Sequence, residues 1–465
     1  MTASSPVPSE FRHPAFRGRI GISQCEITPP VGIFSRTWGA ALHETAESIH
    51  RPLMLSAMVI TNEERNSPLV LICADMSYWS SHDAQPRFFA RLLEGLSLEP
   101  ENLIFALSHS HAAPPLIDVD PSLPGGDLLQ QWIDSIPEIA IAMVQQAQAN
   151  AFDGLIEWQT GRCGLATVRD FQDPTPGKDR FLCGYAPGKP ADDTLLVGRV
   201  TDQRGVVQGV LVNYACHPTT LAWQNKSVSP DYIGAMRETI EAATHAPVFF
   251  LLGACGELAP RNQYTADTDV ADGHGRQLGY AVLSTLSGME APGKKLTFTG
   301  VMESGAPLAI WSATPDSAAS NLDAMQIEVD IPLKDWPTAD ELEQQRLASN
   351  DPFQKERLKR KRAIRLILGD GATYRLPLTF WRIGDAVFVG SRCEAYSLFQ
   401  VELRLRFSGT TLICLNLING SMGYLPPAEQ YSLDIYPVWQ TPFAAGCLEL
   451  TLDAAHHGIE EILAR

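Results

Sequence analysis

Short apolar runs alternate with longer amphipathic stretches along the chain, the pattern of an α/β protein. Runs of strand length are LVLICA (69–74), LIFALS (103–108), VVQGVLVNYA (206–215), PVFFLLG (247–253), DAVFVG (385–390) and TLICLNL (411–417). Helical periodicity predicts helices over 83–96, 127–150, 232–244, 273–287, 338–364, 394–406 and 443–464. The loops 112–126 and 170–193 are long enough to suggest functional surfaces. The stretch 290–380 is more weakly patterned and reads as a subdomain or cover, and no internal repeat or low-complexity tract is present.

Polar residues able to bind metal gather just after the strand runs. They are Asp75, His109 and His111, His217, Glu257, Glu394, and Tyr424 in NGSMGY (419–424). In an open α/β sheet, the crevice beyond the carboxyl ends of the strands is where ligands bind. A single strand exit explains one polar residue, but six such exits point to a shared site. His109 and His111 lie two apart, so in extended backbone both rings face one side. His217 precedes Pro218, which restricts it to an extended conformation at its strand end.

Composition narrows the partners. The 465 residues are 45% hydrophobic and 19% charged, enough for a large core, and the net charge is −17. An acidic chain repels phosphate backbones, so nucleic acid is excluded as a partner. The basic run KERLKRKR (355–362) is expected to be a solvated helix face. Nine cysteines without C-x-x-C spacing, most in apolar runs such as Cys73, Cys216 and Cys414, predict buried thiols with no disulfide framework. The N-terminus has no signal-like apolar stretch and no segment has transmembrane length, so a cytoplasmic location is expected.

The motifs HRPL (50–53), SHSHAAP (108–114), LVNYACHPTTL (211–221), GACGELAPR (253–261), LPLTFWRIGDAVFVGSRCE (376–394) and GYLPPAEQY (423–431) occur in an order that resembles the neutral/alkaline (non-lysosomal) ceramidase family. The likeness runs from about residue 18 to 440. It implies an N-terminal extension (1–17) followed by one catalytic domain (18–465), without the C-terminal immunoglobulin-like domain of longer members. The implied architecture is a mixed β-sheet core flanked by helices, with the metal at the strand ends. The resemblance further implies one catalytic Zn2+ held by His109, His217, Glu394 and Tyr424, a donor set suited to zinc with room for a water. His111, Arg169 in TVRDFQDP and Tyr436 are implied as the residues around substrate. A salt bridge to Asp170 or Asp173 is the competing role for Arg169, and capping of a following helix or loop is the competing role for Glu257.

The implied activity is hydrolysis of a carbon–nitrogen amide bond by a water that zinc activates. Tyr436 would stabilise the oxyanion and His111 would carry a proton to the leaving amine. The substrate would be a small-molecule or lipid amide, and a homo-oligomer is compatible with the sequence. The same site would also serve an esterase, lactonase or deacetylase acting on a small polar substrate, or a non-catalytic ligand-binding member. Departures from the family pattern, with GELAPR for GDVSPN and RCE for PGE, predict weak activity on long-chain ceramide. They also place Ala259 where the family carries a serine.

Overall fold

The computed structural model describes residues 9–65, 67–120 and 122–465. Its core is two sheets packed face to face, with helices on both outer faces. The larger, eight-stranded sheet has the order Val248–Leu252, Val207–Tyr214, Thr194–Asp202, Phe152–Arg162, Ala15–Glu26, Met54–Thr61, Leu69–Ala74, Leu103–Leu107. Its two outermost pairs are parallel and the rest antiparallel. The smaller sheet runs Leu322–Pro332, Thr373–Ile383, Ala386–Ser391, Thr411–Leu415, with the last pair parallel.

Strand alternation builds the layers. Val70 and Ile72 face one way, into a core shared with helices α1 (Ala84–Leu96), α2 (Gly126–Ala149), α3 (Tyr232–Thr244) and α4 (Thr268–Ser287). Leu69 and Leu71 face the other way and meet Trp381, Phe388 and Ile413 of the smaller sheet. The outer face of the smaller sheet, with Phe380, Val387 and Val389, is covered by α7 (Leu398–Arg406) and α9 (Cys447–Ala464). Each fully buried Leu, Ile, Val or Phe removed from water in this way contributes about 1.5–3 kcal/mol.

All six apolar runs form strands, and they are the members of the three parallel pairs within the two large sheets. Four further strands of the large sheet lie between the parallel pairs: Ala15–Glu26, Met54–Thr61, Phe152–Arg162 and Thr194–Asp202. In Thr194–Asp202 the apolar run is broken by Gly198 and Arg199, and the Arg199 guanidinium is met by Glu157 at 2.6 Å on the adjacent strand.

Four predicted helices are revised, of which the one expected over 273–287 begins five residues earlier, at Thr268. The segment 338–364 is two helices, α5 (Ala339–Ala348) and α6 (Pro352–Leu368). Pro352 cannot continue a preceding helix and instead opens α6, where Asp351 accepts from Phe353 N–H at 2.9 Å. The segment 394–406 starts as an extended pair, Glu394–Ala395, and turns helical only at Leu398. The C-terminal helix starts at Cys447 because Gly446, at φ 92°, lies outside helical space. The remainder of 290–380 supplies a hairpin (Lys294–Ser304 with Ala306–Pro315) and two strands of the smaller sheet.

The loop after Thr411–Leu415 ties both edges of the large sheet together. Asn416 N–H donates to Leu252 O at 3.0 Å, and Asn419 N–H donates to Phe105 O at 2.9 Å. The carboxyl ends of strands Leu103–Leu107, Val248–Leu252 and Thr411–Leu415 therefore converge. All nine cysteines are unpaired; seven are buried, and Cys25 and Cys183 are half-buried. Among the described residues no helix is long and apolar enough to cross a membrane.

Candidate metal centre

His109 follows strand Leu103–Leu107 directly, and its backbone adopts φ 67°, unusual for a residue with a Cβ. Its N–H donates to Met76 O at 2.9 Å, which holds the turn. His217 enters from the end of strand Val207–Tyr214, with its N–H on Leu258 O at 2.9 Å. Glu394 stands in a two-residue parallel ladder with Tyr424. The three side chains of His109, His217 and Glu394 are buried and offer ligand atoms within 4.8 Å of one another.

The donor set fits a cation on an internal argument. His217 Nδ1 lies 3.0 Å from Leu258 O. A carbonyl only accepts, so Nδ1 carries the hydrogen and Nε2 is left with its lone pair. That lone pair faces Glu394 Oε2 at 2.9 Å, and His109 Nε2 lies 3.4 Å from the same oxygen. Burial, followed by the Arg169 charge, pushes His217 down to about 4, so no extra proton on the imidazole relieves the contact at neutral pH. Burial alone would raise Glu394, but the facing His109 and His217 outweigh it and hold this carboxyl well below its usual range. Acceptor atoms converging on one point in this way are arranged for a cation. The carbonyl on His217 Nδ1 is also the outer partner that orients a metal-binding imidazole. His109 Nδ1, in contrast, is buried without a hydrogen-bond partner among the described residues.

Tyr424 lies against this cluster, its ring 6.3 Å from that of His217 and tilted by 24°. Its phenol accepts from Arg169 Nη2 at 3.1 Å, and the same nitrogen donates to Gly256 O at 2.6 Å. Burial pushes the Tyr424 hydroxyl well above its ordinary value. Arg169 is in no salt bridge with its neighbours among the described residues. Asp170 accepts from Tyr396 Oη at 2.9 Å, and Asp173 pairs with Arg180 at 2.8 Å.

His111 sits beside the cluster, with Nε2 3.3 Å from His109 Nε2 and its ring between those of Trp38 and Tyr78. Burial, then the neighbouring His109 and His217 imidazoles, lower His111 well below the ordinary imidazole value. It is therefore neutral at pH 7. Tyr436 packs edge-on against Tyr424 at 5.7 Å, and its hydroxyl accepts from Arg360 Nη1 at 3.1 Å. Burial pushes Tyr436 up to about 12.

Two of the residues singled out in the sequence are turned away from the cluster. The Glu257 carboxylate accepts from Ser397 N–H at 2.9 Å and from the Ser397 hydroxyl, at the start of α7. Asp75 pairs with Arg237 at 2.7 Å and accepts from Met54 N–H at 2.9 Å.

Beside the cluster, reached through His111, Arg169, Tyr424 and Tyr436, lies a cavity of about 1000 Å³ walled by the aromatic rings of Trp38, Tyr78, Trp223, Tyr264 and Trp439. A pocket of about 60 Å³ borders His109, Glu394 and Tyr436 and joins the two spaces through shared walls. The first turns of α6 form one side of the cavity. The basic run 355–362 is therefore not a uniformly solvated face: Arg360 is half-buried and lines the cavity, Arg357 is exposed at its rim, and Lys355 and Lys359 are exposed outside it. Tyr78, Trp38, Arg360 and Trp439 were not legible as site residues. They come from four separate segments, and only Tyr78, three residues past Asp75, lies near a strand exit noted in the sequence.

No protein-family model and no curated protein sequence matches the chain. Its fold matches solved ceramidases. The neutral ceramidase from Pseudomonas aeruginosa superposes with a TM-score of 0.65 and 18% identity, over 97% of this chain and 75% of that one. A structure of ceramidase complexed with C2 gives a TM-score of 0.65 at 16% identity, over 97% of this chain and 76% of that one. The ceramidase-like α/β fold expected from the motifs is thus the fold found.

Proposed function

We infer that the protein is a zinc-dependent hydrolase of carbon–nitrogen amide bonds, related to the ceramidases whose fold it shares. The observation that carries this reading is the convergence of His109 Nε2, His217 Nε2 and Glu394 Oε2 beside an aromatic-walled cavity, with a small pocket that borders His109 and Glu394 sharing His111, Tyr424 and Tyr436 with it. His109, His217 and Glu394, joined by Tyr424, would hold the ion. Zinc in such a site lowers the pKa of a bound water to about 7 and polarises a carbonyl.

The surrounding residues fit amide hydrolysis. Because Arg360 donates to the Tyr436 oxygen, the Tyr436 hydrogen is free to point at the substrate carbonyl oxygen as charge develops there. Arg169 fixes the Tyr424 phenol. His111 borders both cavities as a neutral imidazole, able to take a proton and pass it to the leaving amine. The aromatic walls exclude water and accept the acyl part of the substrate.

The test is elemental analysis of the purified protein together with hydrolysis of N-acyl amides of graded acyl length. One equivalent of zinc per chain, with activity lost on chelation and restored by zinc, is the expected result. A fully active, metal-free protein would overturn the reading.

A further inference from the structure

The cavity beside the cluster is lined by more basic than acidic side chains, in a chain whose net charge is −17. Its walls carry Arg169, Arg180, Arg357 and Arg360 against two acids, Asp351 and Glu356. Both acids are already engaged: Asp351 caps α6 through Phe353 N–H, and Glu356 pairs with Arg360 Nε at 2.9 Å. Arg180 is neutralised by Asp173. Arg357 has no carboxylate partner among the described residues. Its guanidinium lies 4.3 Å over the Trp439 ring centroid, so the stacked plane is held in place with its N–H edge free.

An aromatic path links this guanidinium to the cluster. Trp439 packs edge-on against Tyr436 at 4.8 Å, Tyr436 against Tyr424 at 5.7 Å, and Tyr424 against His217 at 6.3 Å. Arg360 stands midway along it, lining both the large cavity and the small pocket beside Glu394. A substrate whose amide lies at the cluster would therefore run its far end along Tyr436 and Trp439 to Arg357.

We propose that the amide substrate carries a carboxylate, and that α6 recognises it through Arg357. The proposal rests on the amidohydrolase reading and specifies its substrate class: an N-acyl amino acid or a similar acidic amide, rather than an uncharged lipid. Arginine is suited to this because its planar fork meets a carboxylate through two parallel N–H···O bonds. The basic sequence of α6 then supplies specificity, which the acidic balance of the rest of the chain cannot.

The test uses alkylsulfonamides of glycine and of ε-aminocaproic acid, each as the free carboxylate and as its carboxamide, with affinity read by calorimetry on the protein as purified. Sulfonamides are not hydrolysed, so binding is measured without turnover. At least one carboxylate is expected to bind about ten- to a hundredfold tighter than its carboxamide, the contribution of a hydrogen-bonded charge. Arg357→Met keeps an unbranched stem over Trp439 and is expected to remove most of that preference while leaving carboxamide affinity unchanged. Equal affinity within both pairs, no binding of any of the four, or a preference that survives in Arg357→Met overturns the proposal. Hydrolysis of N-acyl amides, neutral and acidic, assayed separately, decides the amidohydrolase reading whichever result is obtained.

Discussion

Glu394 and Tyr424 are direct partners in a parallel backbone ladder, and Glu394 N–H donates to Gly423 O at 2.9 Å. The carboxylate and the phenol at the candidate metal centre are thus positioned by main chain rather than by loop packing. The turn into Tyr424 requires Gly423 at φ 74°, where an added Cβ would lie 3.3 Å from Pro442 Cδ. Gly423→Ala is expected to cost about 1–2 kcal/mol of stability from the left-handed backbone alone. Metal affinity should fall by about 10–100-fold, the usual effect of disturbing a ligand's support. Thermal unfolding and zinc titration of the variant check both parts; unchanged metal affinity would show that the ladder does not position the site.

Removal of a ligand should do more. His217→Ala takes away one of two imidazoles, and the zinc it retains should be limited by an affinity loss beyond the ~100-fold seen for outer partners. Elemental analysis after dialysis reads this directly. A metal-replete, fully active His217→Ala protein would rule out the assignment.

The sequence exposed the parallel strands best, and the physical reason lies in their burial. Leu69–Ala74, Leu103–Leu107 and Val248–Leu252 are covered on both faces and read as unbroken apolar runs. Ala15–Glu26 has exposed positions among its buried ones and carries Arg17, Arg19 and Glu26, so no such run appears. Because the candidate ligands follow strand runs, His109, His217 and Glu394 stood out together as polar strand exits, and the family resemblance supplied their assignment to one metal. Arg360 did not stand out: its run reads as surface charge until the break at Pro352 and the packing of α6 place it over the cavity. Glu257 follows a strand just as the ligands do, and only its bond to Ser397 separates a helix-capping role from a metal-binding one.

Tyr436→Phe tests the oxyanion role without disturbing the metal. The ring remains to pack against Tyr424 and Trp439, and only the hydroxyl held by Arg360 is lost. On the proposed mechanism kcat falls by about 10²–10³ with KM and zinc content little changed. A variant with wild-type kcat would remove Tyr436 from the reaction.

Glu257 gives a pH signature. Burial raises its pKa from 4.5 to about 7, although the bonds from Ser397 oppose the shift. In the unfolded chain the group ionises near its ordinary value, so between the two pKa values the unfolded state binds fewer protons than the folded one. The stabilisation from this group is complete below about pH 4.5 and is lost as the pH rises through about 7. The shift corresponds to roughly 3 kcal/mol at about 1.4 kcal/mol per unit. Glu257→Gln lacks the titration and keeps an oxygen to accept from Ser397. Its stability relative to wild type should rise across that interval and level off above it, as read by denaturant unfolding from pH 4 to 9. The variant should also keep its activity, because Glu257 faces α7 and not the cavity. A flat difference, or an inactive folded variant, would contradict this placement.

The remaining question is whether any serine attacks the substrate. Ala259, at the position where the resembled family has serine, is buried in strand Leu258–Pro260 and has no hydroxyl to offer. Of the two serines flanking His109, Ser110 donates its hydroxyl to Ser229 O at 2.7 Å, and Ser108 is buried without a hydrogen-bond partner for its hydroxyl among the described residues. A nucleophilic serine needs an adjacent base, and the nearest imidazole, His109, has its Nε2 turned to Glu394. Hydrolysis should therefore proceed without a covalent enzyme intermediate. Intact-mass spectrometry during turnover, with the reaction run in ¹⁸O-water, should find an unmodified chain and label only in the released acid. Ala259→Ser should give no gain in rate. An acyl adduct on any serine, or a rise in activity on introducing the hydroxyl at position 259, would replace direct attack by water with a covalent route.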